Sequence, residues 1–454
     1  MNSTYLVFIA LFLGIGSLIL LTVKVKLHPF FAMLISSTVF GVVSGMNFAD
    51  MLDTFTQGMG STMADLGLIV AIGTTIGVLL EESGAAEAMA QTILKLTGKK
   101  HAALGLAITG YFVAIPVFSS SAYVLLAPLA KRLSRDTGVS MTTMAISLGM
   151  GLLTTHMFVP PTPGPLAVAG ILGADLGLVI VMGMIVSVPV MLTGYFMSKW
   201  MGKRYFYLPK SAEDEAEAEA SALDTERRLP SALQSFLPIL LPVVLMMIST
   251  IVSSTSAADT LAGQICSVIG TPVVALTVGL VAALITYLSI FPKNKEVWSF
   301  EGGFGTALMS AGQITLIVCA GGAFGALLKA SPLQDILAGS LTNATLGLLA
   351  PFIIGVVFRT AIGSGTIAMI TAASMLSQVT SVIGLDSPMG LVVAMLACAA
   401  GGFMVFHGND DMFWVISSTS DMDPAIAYKT LPLTSIVQSL VGFACVLLLS
   451  LFVL

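Results

Sequence analysis

An arginine and a run of glycines and hydroxyl side chains interrupt one of the most apolar regions of the chain. Residues 358–368 read Phe-Arg-Thr-Ala-Ile-Gly-Ser-Gly-Thr-Ile-Ala. The apolar arms on either side, residues 351–358 and 367–375, are each under half of the roughly 20 residues that a helical membrane span needs. The pattern predicts a re-entrant hairpin, because irregular backbone at membrane depth is tolerated only inside protein or beside a cavity. One continuous helix with a packing glycine pair is the alternative.

The tip of this predicted hairpin has the chemistry to bind an anion. Half-helix N-termini attract anions through unpaired amides and a partial positive charge, and Ser364 and Thr366 would add hydroxyl donors. A comparable run of serines, residues 119–121, lies in the first half of the chain. Serine and threonine hydroxyls that only join helices are the alternative. The substrate-binding candidates are Ser119, Ser120, Ser121, Thr162, Arg359, Gly363, Ser364, Gly365, Thr366 and Asn409.

Two adjacent carboxylates and an imidazole form a second unusual stretch. Residues 407–411 read His-Gly-Asn-Asp-Asp between two apolar runs. Charged groups at membrane depth are expensive and often belong to ion pathways or proton relays. Like charge and desolvation both favour the protonated carboxyl, so His407, Asp410 and Asp411 are the candidates for ion or proton coupling. A hydrated cytoplasmic loop is the alternative. Arg359 is expected to pair with an anionic substrate or with one of these aspartates.

A proline-rich stretch predicts a second kind of helix interruption. Residues 160–165 read Pro-Pro-Thr-Pro-Gly-Pro. They cannot form a regular helix interior, because each proline removes a donor and clashes with the carbonyl one turn back. The carbonyls that lose their partners must be satisfied elsewhere or used on a ligand, which makes Thr162 a candidate.

The composition indicates a membrane protein whose helices place these stretches. Of 454 residues, 56% are hydrophobic and 9% are charged, and the mean hydropathy is +0.98. This predicts an all-α polytopic membrane protein, with the lipid bilayer as its main partner. The net charge of -5 gives no reason to expect a nucleic-acid partner, because many acids cluster in residues 213–219. The sequence has no phosphate loop, zinc spacing or nucleophile elbow, so we expect no enzyme, no metal and no bound cofactor.

Apolar runs predict the spans and basic residues predict their orientation. The predicted spans are 5–23, 29–45, 63–80, the broken regions 104–129 and 144–172, 176–197, 237–252, 268–290, 309–328, the hairpin 346–376, the broken region 389–417, and 431–454. Lysines and arginines fall almost entirely on one side if both 104–129 and 346–376 return to their side of entry. The charges therefore favour two hairpins that enter from opposite sides, with both termini facing outward into the periplasm.

The two halves of the chain resemble each other. Residues 55–62 return as 300–307, residues 77–83 as 325–331, and residues 101–106 as 343–348. This predicts a first repeat in residues 1–202, an acidic cytoplasmic linker in residues 203–230 and a second, inverted repeat in residues 231–454. Inverted repeats whose interrupted helices meet near the bilayer midplane are typical of secondary transporters.

These motifs resemble the gluconate permease (GntP-type) family of the ion transporter superfamily, over nearly the whole chain. The residues that carry the resemblance are 55–60, Gly84 and Ala85, 159–165, 359–368 and 407–414. The resemblance implies secondary uptake of gluconate or related sugar acids, typically by proton symport, in a bacterial inner membrane. It also implies a homodimer, two re-entrant hairpins and an elevator-like movement of the domain that bears the site.

The sequence thus predicts a symporter of small hydroxy-carboxylates, with the proton as the expected coupling ion. Many members of the family carry an acidic residue where this chain has Ser119–Ser121, so substrates other than gluconate stay open. The alternatives are a sodium-coupled carrier of dicarboxylates and a carrier of D-serine-like amino acids. A passive channel is disfavoured, because the sequence has paired helix breaks and no continuous polar stripe.

Overall fold

Helices make up the regular structure of the part of the chain that is described. A computed structural model describes residues 3–209, 228–253, 260–331, 347–377, 380–381, 383–408 and 410–454. Among these residues, seven helices are long and apolar enough to cross a membrane. The prediction of an all-helical polytopic membrane protein is therefore confirmed.

The first half of the chain contains helices α1 to α9. Several of them begin where a side chain can accept a hydrogen bond from the first turn, as Asn47 does before α3 and Asp175 does before α9. The helices are α1 Ser3–Ile19, continued by a π-helical turn Leu20–Lys24, α2 Pro29–Val43, α3 Phe48–Glu82, α4 Ala85–Thr97, α5 Ala102–Val113, α6 Ser119–Thr137, α7 Met141–Phe158, α8 Pro163–Leu172 and α9 Leu176–Arg204.

The second half contains helices α10 to α18. They are α10 Ala232–Ser253, α11 Leu261–Ile269, α12 Pro272–Ile290, α13 Gly303–Ala330, α14 Leu349–Ile362, α15 Gly365–Leu376, α16 Pro388–Phe403, α17 Asp411–Thr419 and α18 Pro424–Val453. Apart from α4, one order recurs in the described parts of the two halves: a long helix, two shorter helices around a break, two more around a second break, and a long helix. In the first half this order is α3, α5–α6, α7–α8 and α9; in the second it is α13, α14–α15, α16–α17 and α18.

Helical backbone is interrupted at each of the four predicted places. The breaks are residues 114–118, 159–162, 363–364 and 404–410. Proline explains the second break, since neither Pro160 nor Pro161 has a backbone N–H to donate. Glycine explains the third, because Gly363 has φ +88°, in the left-handed region that other residues avoid.

The most deeply buried helices are α7 and α16, which end at the second break of each half. Helix α7 packs against α5 and α9, and α16 packs against α14 and α18. Matching glycines permit this close packing. A Cβ on Gly110 of α5 would lie 2.6 Å from the Leu148 carbonyl oxygen of α7, and one on Gly355 of α14 would lie 2.5 Å from the Cys398 carbonyl oxygen of α16.

Helix α3 begins at Phe48, well before the predicted span 63–80. The additional turns carry polar side chains that the hydropathy pattern scored as loop. They are held by α13, because a Cβ on Gly58 would lie 2.7 Å from the Cβ of Ala326. The helices α4 and α11 were likewise not predicted as separate elements. Helix α9 ends at Arg204, two residues beyond the predicted boundary at 202. Most of the predicted acidic linker, residues 210–227, lies outside the described residues.

Candidate functional site

The first breaks of the two halves meet at one cavity, which we call the central cavity. Its volume is about 140 Å³, which is room for several water molecules or a small organic acid. The helices α6 and α15 both begin at this cavity, and α7, α14 and the start of α17 complete its wall. The lining residues are Phe118, Ser119, Ser120, Leu153, His156, Met157, Arg359, Ser364, Gly365, Thr366, Asp410 and Met412.

Two helix N-termini at the central cavity have no side-chain cap among the described residues. Phe118 precedes α6 and Ser364 precedes α15, and neither side chain accepts a hydrogen bond from the first turn that follows it. The first amides of a helix have no partner within the helix. The two helix starts therefore present unpaired N–H groups and partial positive charge to the same cavity, which is the arrangement that binds a carboxylate.

A buried ion pair forms part of the cavity wall. The Arg359 Nη1 atom lies 2.6 Å from the Asp410 Oδ2 atom, and the two residues are 2% and 5% exposed. Arg359 also donates a hydrogen bond to the Gly363 carbonyl oxygen, and its guanidinium carbon lies 5.5 Å from the centre of the Phe406 ring. Its Nε atom is buried and has no hydrogen-bond partner within the described residues.

Asp410 has a second role as the N-cap of α17. Its Oδ1 atom accepts a hydrogen bond of 2.8 Å from the Met412 amide. One carboxylate therefore supports a helix start with one oxygen and pairs with Arg359 through the other. The fourth break is held to the third in this way, and the predicted alternative that Arg359 pairs with an aspartate is what the structure shows.

His156 lines the central cavity, although it is not among the site residues predicted from the sequence. Its Nε2 atom lies 3.2 Å from the Thr366 hydroxyl, so it joins α7 to the first turn of α15. The available signal was its position four residues before Pro160, on the last turn before a helix break. The sequence gives no sign that the first turn of α15 lies opposite this position.

The remaining serine, threonine and glycine candidates lie around the cavity in different ways. Ser119, Ser120, Ser364, Gly365 and Thr366 all line it. Ser121 does not belong to the lining, since it lies further round α6. Thr162 donates a hydrogen bond of 2.6 Å to the Val159 carbonyl oxygen and lines a neighbouring cavity of about 10 Å³, which His156 also lines. Gly363 forms the turn between α14 and α15 and accepts the hydrogen bond from Arg359.

The coupling candidates of the fourth break are only partly described. His407 is half-buried and forms a hydrogen bond to the backbone of Thr360, and it is not among the residues that line the central cavity. Asn409 and the side chain of Asp411 lie outside the described part of the structure. Asp410 is therefore the one coupling candidate whose side chain is placed at the cavity.

Comparisons with known proteins agree with this architecture. A family model described as GntP family permease matches residues 6–452. The gluconate permease of Pseudomonas aeruginosa is 32% identical over 99% of this chain and 98% of its own length. The D-serine transporter DsdX of Escherichia coli K12 is 31% identical over 99% of both chains. The solved structure of Neisseria gonorrhoeae MtrF, whose description names a class of antimetabolite efflux pumps, shares the fold with a TM-score of 0.61 at 15% identity, over 88% of this chain and 82% of its own.

Proposed function

The chain belongs to the GntP permease family, and we propose that it imports gluconate-like sugar acids or related small hydroxy-carboxylates by proton symport. It is a membrane permease and not an enzyme. The observation that carries the proposal is the central cavity, where two uncapped helix starts and a buried Arg359–Asp410 pair face the same space. The proposed cell location is the bacterial inner membrane, with both termini in the periplasm.

The cavity suits one carboxylate that carries hydroxyl groups nearby. The first amides of α6 and α15 would bind the carboxylate, and the guanidinium of Arg359 would add a charged donor. The hydroxyls of Ser119, Ser120 and Thr366 can each donate or accept a hydrogen bond, which matches hydroxyl groups on a polyol chain. The gluconate permease relative supports the same substrate class.

The ion pair gives a reason for coupling to a proton. Arg359 and Asp410 together are electrically neutral. A bound anion would add one uncompensated negative charge to a buried site, which is costly in a medium of low dielectric constant. A proton on Asp410 would cancel that charge and release the guanidinium to the substrate. In this scheme the loaded site is neutral, and the empty site is neutral once the ion pair reforms.

We further propose that the two halves are inverted repeats and that both hairpins are re-entrant. The recurring helix order and the matched glycine contacts of Gly110 and Gly355 support this arrangement. In such transporters the interrupted helices form the site near the bilayer midplane. An elevator-like movement would then carry the four breaks as one body, within a homodimer.

Substitution of the proposed coupling group tests the mechanism. In membrane vesicles, Asp410→Asn should abolish accumulation of labelled gluconate driven by a pH gradient but spare counterflow exchange, because exchange needs binding and movement without net proton transfer. The asparagine retains a side-chain oxygen for the N-cap of α17. Accumulation with unchanged pH dependence in this variant would reject Asp410 as the proton carrier.

A D-serine-like amino acid is the second candidate substrate. The DsdX relative and the carboxylate of Asp410, which could face an ammonium group, favour it. Competition by D-serine against gluconate uptake distinguishes the two substrates. The same assay with and without sodium tests the sodium-coupled dicarboxylate alternative, and accumulation against a gradient would exclude a channel.

A further inference from the structure

A second cavity, which we call the basic pocket, lies away from the transport site. Its volume is about 390 Å³. It lies between the start of α5, the loop that joins α6 to α7, and the last turns of α9. Lys100 and His101 enter it from the first of these elements, and Lys199 and Lys203 enter it from α9. None of these residues takes part in the proposed transport chemistry.

Positive charge in the basic pocket is not offset by an acidic residue among its described lining residues. The nearby Asp136 pairs with Lys99, at 3.7 Å, and neither residue lines the basic pocket. Within the basic pocket, Lys199 lies over the Tyr195 ring, with its Nζ atom 5.5 Å from the ring centre. The hydroxyls of Ser140 and Thr143 also line the pocket. Ammonium groups and hydroxyls on a concave surface are the donors that a phosphate needs.

The position of the pocket along α9 indicates which phosphate it meets. Helix α9 has 29 residues, so it is about 44 Å long, whereas the hydrocarbon core is about 30 Å thick. Its last turns therefore lie in the headgroup layer. Exposed aromatic side chains lie on and just after these turns, namely Phe196, Trp200 and Phe206, of which Phe206 lines the pocket. Such residues are typical of the membrane–water interface, and their rings would lie beside acyl chains.

We propose that the basic pocket binds the headgroup phosphate of an anionic phospholipid, with the acyl chains lying against the aromatic residues of α9. The lysines supply the positive charge. The exposed aromatic side chains next to them are the reason to favour a lipid over a free phosphate ion. Since the pocket is built from three separate elements, a bound headgroup would hold α5, α7 and α9 together. The lipid should therefore stabilise the folded protein as well as bind to it.

The test compares two pairs of lysine substitutions in the purified full-length protein. The Lys199→Gln/Lys203→Gln variant removes charge from the pocket. The Lys293→Gln/Lys295→Gln variant removes the same charge from an exposed loop after α12 and serves as the control. Protein in neutral detergent is titrated with phosphatidylglycerol or with phosphatidylcholine, and bound lipid is counted by native mass spectrometry while the melting temperature is recorded.

The unsubstituted protein and the control should retain phosphatidylglycerol over phosphatidylcholine and should melt at a higher temperature with it. The pocket variant should bind phosphatidylglycerol about 25-fold more weakly, since each lysine near a membrane surface is worth about five-fold. The Lys199→Arg/Lys203→Arg variant keeps the charge and should keep the binding, which separates lost charge from a damaged fold. Equal binding by the pocket variant and the control, equal retention of the two lipids, or displacement of lipid by millimolar inorganic phosphate would each overturn the proposal.

Discussion

The buried pair of Arg359 and Asp410 allows a quantitative test of the central cavity. We expect the two residues to stabilise the fold only as a pair, so that single substitutions are costly and the double substitution is not. The variants are Arg359→Met, Asp410→Asn and the combination of both. Methionine keeps much of the side-chain volume, and asparagine keeps the N-cap oxygen that accepts from the Met412 amide.

The magnitude follows from burial and geometry. The pair is separated by 2.6 Å, and each single variant leaves one buried charge without its partner. Such a loss typically costs about 3–5 kcal/mol, whereas replacing both partners by uncharged residues is often close to neutral. Arg359→Met also removes the hydrogen bond to the Gly363 carbonyl oxygen, which adds about 1 kcal/mol. The coupling free energy between the two substitutions should therefore be about 3 kcal/mol or more.

Reversible unfolding in mixed micelles, followed by tryptophan fluorescence, measures the four free energies of unfolding that the cycle needs. A control is the ion pair of Lys99 and Asp136, which is 3.7 Å long and has side chains that are 77% and 44% exposed. Its cycle should give about 1 kcal/mol or less, because solvent screens it. If the losses at Arg359 and Asp410 add to within about 0.5 kcal/mol, the two residues do not act as a pair and the coupling argument fails.

Two further predictions concern the lining of the central cavity. Ser120→Ala should raise the KM for gluconate uptake about five-fold, which is the effect of one lost hydrogen bond. Ser121→Ala should leave the KM nearly unchanged, because of these two serines only Ser120 lines the cavity. Equal effects of the two substitutions would contradict the assigned orientation of α6. Gly365→Ala should strongly reduce uptake, because the added Cβ would lie 2.7 Å from the Met157 sulfur. The control Gly312→Ala should transport normally, because a Cβ on Gly312 would have no atom within 4 Å. Normal uptake by both variants would show that the cavity tolerates narrowing.

The helix interruptions were predictable because their causes are local. Proline at 160 and 161 removes donors, and Gly363 supplies a conformation that other residues rarely adopt. Both causes can be read from a single residue and its neighbours. The same holds for the spans, since about 20 consecutive apolar residues are a local property. The start of α3 at Phe48 was not predicted, because its cause is not local. Contact with α13 stabilises those turns, whereas their own hydropathy is typical of a loop.

The pairings within the site were not predictable from the sequence. His156 and Thr366 are 210 positions apart, and only the tertiary fold, in which α15 packs against α8, brings them within hydrogen-bond distance. The sequence left two partners open for Arg359, and the choice of Asp410 depends on where α17 begins. Ser121 differs from Ser120 only by one step around a helix whose orientation is set by tertiary contacts. Residue type identified the candidates, while geometry separated the lining residues from their neighbours.

The breaks that meet at the central cavity contribute different groups to the site. An anion site requires unpaired amides, and the first break of each half supplies one uncapped helix start, at Ser119 and at Gly365. Those amides alone would hold an anion permanently, with no dependence on a second ion. The fourth break adds Asp410, whose negative charge occupies Arg359 when no substrate is bound. Because one carboxylate both starts α17 and neutralises Arg359, a proton that arrives there changes the charge of the cavity and the support of a helix together. In the proposed symport mechanism, this double role of Asp410 links substrate binding to proton movement.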